Sequence, residues 1–159
     1  MVDSKKADSK IHRLTRLRQI HIANCLWLLL PLLAWNILLG PKITQEAITS
    51  DAHSPPWLLA AENLTRMIVF ALPLLLPLQL KDIGLAIYLA GTLIYFTSWL
   101  PLLLAPASPW SNSPIGLLAP RLTPFLSFLG IALLSHSRPY ALISAVFIAL
   151  HTCHGIQIL

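Results

Sequence analysis

Residues 57–80 read WLLAAENLTRMIVFALPLLLPLQL, and this stretch decides how the chain is read. As a helix it is long enough to cross a hydrocarbon core of about 30 Å. Yet it carries Glu62, Asn63 and Arg66. Ionisable groups in such a segment are expensive to bury, so they turn to one another or to a wet cavity. The stretch predicts a membrane helix that holds polar chemistry.

The rest of the chain follows the same pattern. Of its 159 residues, 56% are hydrophobic and 11% charged, against about 25% charged in soluble domains. The charges sit between long apolar runs, and no helix has the charged outer face that a soluble bundle needs. Five spans follow, at 20–40, 57–80, 84–104, 115–134 and 140–159. Each has about 20 residues, enough for one crossing. The expected fold is all-α, an integral membrane bundle of five transmembrane helices in a single domain over 20–159. A basic segment precedes it at 1–19. Within that segment Ile11, Leu14 and Leu17 recur at spacings of three among arginines, which suits a short amphipathic helix on the membrane surface. Prolines at 31, 73, 77, 101, 120 and 124 fall inside the spans. Each removes a backbone donor, so several helices are expected to kink.

The basic residues set the orientation. With the N-terminus in the cytoplasm, the inner side holds Lys5, Lys6, Lys10, Arg13, Arg16, Arg18, Lys81 and Arg138, and the outer side only Lys42. This is a strong positive-inside bias, and it places the C-terminus outside. Trp35, Trp57, Trp99 and Trp110 then gather near the outer interface, where amphipathic rings prefer to lie. The N-terminal basic cluster is read as this orienting flank in contact with anionic lipid, not as a nucleic-acid surface. Small size and a short flank point to a bacterial inner membrane. Cys25 and Cys153 make no scaffold and no paired motif.

At a rise of about 1.5 Å per residue, Asn36, Glu62, Asn63, Arg66, Arg121, His151 and His154 all fall roughly 6–14 Å below the outer edge. Tyr95 and Ser98 lie at similar depth. This coincidence predicts a shared pocket in the outer leaflet half. Glu62 and Arg66 are four apart, in the order that favours an ion pair, with Asn63 placed to assist. His151 and His154 are three apart on one helix face. In the leading reading Arg66 and Arg121 hold an anionic lipid-like or small-molecule ligand. Asn36, Asn63, Tyr95 and Ser98 line its site, while Glu62, His151 and His154 transfer a proton. A second reading makes His151, His154 and Glu62 ligands of a metal or haem. A third makes the chain a structural subunit of a membrane complex, its polar groups fastening helices. Tyr88, Thr92, Tyr95 and Trp99 follow a helical stripe and are read as a packing seam.

Overall fold

The computed structural model describes residues 24–40 and 54–157 in full, and the backbone of 41–43. The basic segment 1–19, the loop at 44–53 and the last two residues lie outside the described residues. Six α-helices and one 3-10 turn are present among those described. They are α1 (Leu26–Ile43), α2 (Pro56–Ala71) with the 3-10 turn Leu72–Leu74, α3 (Asp82–Leu104), α4 (Pro114–Leu122), α5 (Pro124–Leu134) and α6 (Arg138–Gln157). Four stretches are long and apolar enough to cross a membrane: Pro56–Leu74, Asp82–Leu104, Pro114–Leu134 and Arg138–Gln157. The apolar part of α1, Leu26–Gly40, is shorter.

The bundle has an apolar core, as a soluble one does, but its outer surface is apolar as well. Large apolar side chains project from every helix, Ile37, Leu38, Met67, Leu93 and Leu142 each more than three-fifths exposed. Buried polar groups include Asn24, Glu62, Thr65, Ser127 and Ser144. Water would penalise so much contiguous apolar surface.

In space the helices run α1, α3, α5, α6, α2, with α2 returning against α1 and α4 lying on α3 and α6. The contacts give their directions. Tyr88 on α3 donates to the Leu28 carbonyl of α1 (2.7 Å), and Tyr95 donates to Asn36 Oδ1 (2.6 Å), so α1 and α3 run parallel. Gly84, Gly91 and Gly130 show α3 and α5 antiparallel: a Cβ on Gly130 would sit 2.6 Å from the Tyr88 backbone, and one on Gly91 2.6 Å from the Ser127 nitrogen. Small residues let two backbones approach closely, which is how membrane helices gain packing energy. Of the expected stripe on α3, Tyr88 and Tyr95 bond to α1, while the Thr92 hydroxyl lies 3.2 Å from that of Ser127 on α5. Phe70, Phe128 and Phe147 meet edge-on or tilted at 6.1–6.4 Å where α2, α5 and α6 converge.

Three helix boundaries differ from the sequence reading, two for reasons that proline chemistry supplies. The second span stops at Leu74 rather than 80. Pro73 and Pro77 bring no N–H, and residues 75–81 leave the helix. Their backbone is used elsewhere: Leu76 O accepts from Cys25 N (3.0 Å), and Gln79 N donates to Leu134 O (3.1 Å). The fourth span is divided at Thr123, because Pro124 cannot continue the ladder and the Thr123 hydroxyl bonds back to Ala119 O (2.8 Å). Of the first span, residues 20–23 lie outside the described residues, and the described helix begins at Leu26. Asn24 accepts from Leu26 N (3.1 Å) as a cap, and Cys25 pairs with the 75–81 segment.

The α3–α5 seam is tested by Gly130→Ala. The methyl group would meet backbone, so stability should fall by about 1–3 kcal/mol, as overpacked sites do. Gly40→Ala, where a Cβ meets nothing within 4 Å, should be neutral or slightly stabilising. Unfolding followed by helical circular dichroism in detergent compares the two.

Candidate functional site

Leu58, Glu62, Thr65 and Val69 form the buried stripe of α2. Their spacing of four, three and four residues keeps them on one helical face. That face packs on α6, whose own buried residues are Tyr140, Ser144, Phe147, Ile148 and Gly155. Phe70 meets Phe147 at one level and Glu62 meets His151 and His154 at another, so the two helices are antiparallel.

Glu62 is 1% exposed. Its two oxygens are met by three donors. Arg66, one turn on, reaches Oε1. His151 Nδ1 lies 2.9 Å from Oε1 and His154 Nδ1 2.6 Å from Oε2. An ionised carboxylate only accepts, so both imidazoles donate from Nδ1. When neutral, each ring then carries its lone pair on Nε2. One carboxylate thereby fixes the tautomer and tilt of two histidines. Phe147 stacks on the His151 ring (centroids 5.5 Å, planes 15° apart) and holds it in that plane. Thr65 turns its hydroxyl to Ala61 O and Glu62 O, closing the helix surface beneath the acid.

Arg121 of α4 comes to the same end of α6. Its Nη1 lies 2.1 Å from where a Cβ of Gly155 would stand. Only glycine admits the guanidinium there, next to His154 in sequence. The end of the bundle where α2, α4 and α6 meet thus holds two guanidiniums, two imidazoles and one carboxylate. Arg66 keeps 44% of its side chain exposed, and Arg121 is half-buried.

The remaining expected residues divide. Asn36 and Tyr95 bond each other across α1 and α3, and Asn36 also donates to Leu32 O (2.9 Å). Ser98 donates to Tyr95 O (2.6 Å) and lies 3.2 Å from the Thr123 hydroxyl. These three form a polar seam between helices with bonds of their own. Asn63 is exposed, off the stripe that carries Glu62, and the acid takes its partners from α6 instead. Among the described residues no three His, Cys, Asp and Glu side chains are grouped as metal ligands. Thr65 and Gly155 carry no sequence signal of a site. Gly155 is recognisable only once Arg121 is seen to lie on it.

Comparison of the chain with protein-family models, with curated proteins and with solved structures gives no match.

The Glu62–His154 contact should show energetic coupling. In a double-mutant cycle of Glu62→Ala and His154→Ala, unfolding in detergent should give an interaction energy of about 1 kcal/mol or more, inside the roughly 0.5–3 kcal/mol range for contacting pairs. Additive effects would show that the contact carries no stability.

Proposed function

We propose that this chain is a multi-pass membrane protein with five crossings. Its N-terminal side is cytoplasmic, and its site in the outer half binds an anionic lipid-like or small-molecule ligand. The observation that carries the reading is the pairing of two α6 histidines with both oxygens of one buried α2 carboxylate. Arg66 and Arg121 supply positive charge at that end. Glu62 holds His151 with Nε2 as the basic nitrogen, and that ring, 28% exposed, can accept a proton there and return it; the His154 ring is more deeply buried and orients the carboxylate. The helix directions support five crossings: α1 and α3 run parallel, α3 and α5 antiparallel, and α2 and α6 antiparallel, as alternating spans require. The eight inner basic residues against Lys42 support the orientation.

A second reading has its own support. With both oxygens occupied, Glu62 is satisfied without a ligand, and the cluster then serves to clamp α2 to α6 in a structural subunit. The metal or haem reading has less support, because Glu62, its third ligand, already spends both oxygens on Arg66, His151 and His154, and no group of three metal-ligating side chains is found among the described residues.

Two measurements test this. Single-cysteine variants in a Cys25→Ala/Cys153→Ala background should separate by side. Asn112→Cys, in the turn before α4, should react with a membrane-impermeant maleimide in intact cells, and Gln79→Cys only after permeabilisation. The opposite labelling would overturn the orientation. Native mass spectrometry of the gently solubilised protein should show a retained phosphate- or carboxylate-bearing adduct. It should be lost from Arg66→Ala/Arg121→Ala and weakened in Glu62→Gln, at unchanged helical content. A bare wild-type protein, or the same adduct in all variants, would leave the clamp as the role of the cluster.

A further inference from the structure

The end of the bundle opposite to Glu62 carries a second, separate feature. A cavity of about 940 Å³ opens between the start of α3, the end of α5 and the start of α6. Its walls are apolar, among them Ile83, Leu129, Leu133 and Ala141. Its rim holds Lys81, His136 and Arg138, with the Ser137 hydroxyl and one carboxylate, Asp82. Lys81 and Arg138 outweigh Asp82, so the rim is cationic at neutral pH even with His136 uncharged.

The backbone at His136 is the unusual part. Its φ is +54°, the one positive value at a non-glycine residue among the described residues. Ser137 N bonds back to Ala132 O (2.9 Å) and His136 N to Leu133 O (3.3 Å). This is the turn that closes a helix with a left-handed residue, a place where glycine is favoured. Here a histidine fills it. Its Nδ1 donates to Leu133 O (2.9 Å), since a carbonyl can only accept. Nε2 is then the acceptor, and the Lys81 ammonium donates to it at 2.5 Å. The strained residue thus pins a lysine from a separate segment at the cavity mouth. Strain of this kind gathers at functional sites.

We infer that this cavity binds an anionic phospholipid, its phosphate held by Lys81 and Arg138 with His136 fixing the lysine, and an acyl chain lying along Ile83, Leu129 and Leu133. A lipid is favoured over free phosphate because the cavity is apolar-walled and far larger than a phosphate. Moreover, Leu80 and Ile83, more than 70% exposed, lie beside the cations where the spans begin. That is the depth of a headgroup. The inference uses the membrane-spanning reading but not the Glu62 site.

The test uses the full chain, delipidated in detergent and titrated by native mass spectrometry with phosphatidylglycerol, phosphatidylcholine or inorganic phosphate. Phosphatidylglycerol should bind about tenfold tighter than phosphatidylcholine. Lys81→Gln/Arg138→Gln should remove that preference, while Arg66→Ala/Arg121→Ala at the other end should keep it. His136→Gly relieves the left-handed strain, so it should raise Tm and yet weaken phosphatidylglycerol several-fold. Equal binding of the two lipids, inorganic phosphate that displaces the lipid, or full affinity in the folded Lys81→Gln/Arg138→Gln protein would each overturn the inference. Full affinity in His136→Gly would overturn the role given to the histidine.

Discussion

A carboxylate with almost no exposure, set among apolar helices, constrains everything around it. Left alone it would lose its hydration with nothing in return, at a cost of several kcal/mol. Glu62 avoids this only because three donors converge on its two oxygens, and two of them come from another helix. The α2–α6 interface is therefore specified in register and rotation. Sliding α6 by one residue would swing both imidazoles away and strand the acid. Leu58, Thr65 and Val69 follow because they share its face. Gly155 follows because Arg121 must reach the same end of α6.

The remaining helices are held by a different kind of contact. Between α3 and α5, glycines replace side chains with backbone, and the gain is dispersion at close range. Between α1 and α3, two tyrosines each carry one hydrogen bond, two turns apart, so they fix direction as well as distance. A hydrophobic drive cannot order these helices in lipid, where the outside is as apolar as the inside. Close approach and directed hydrogen bonds take that role.

The sequence makes the grouping of Glu62, Arg66, His151 and His154 legible through two simple facts. Spacings of three and four share a helix face, and depth can be counted from span edges. The four apolar crossings and their breakers are legible from composition. What it leaves hidden is tertiary. The end of the second span at Leu74 depends on where Leu76 and Gln79 find partners, in Cys25 and Leu134, fifty or more residues away. Pro73 warns of a break but does not say on which side it falls. Asn63 illustrates the converse: adjacent to Glu62 in sequence, it lies about 100° around the helix, off the face that packs.

The two ends of the bundle handle charge in opposite ways, and this separates their chemistry. At the Glu62 end the acid is enclosed, and its two oxygens are taken up within the protein by Arg66, His151 and His154. At the His136 end the cations sit on an open rim, and a strained turn keeps Lys81 in place where no carboxylate among the described residues bonds it. A cation held at the mouth of an apolar cavity, at the level where helices enter the membrane, is matched by a molecule that is anionic at one end and apolar at the other. On the orientation proposed above, the same positive residues gain a second use. Lys81 and Arg138 need only be basic to orient the helices, but they need a defined position to hold a phosphate. The left-handed His136 provides that position for Lys81.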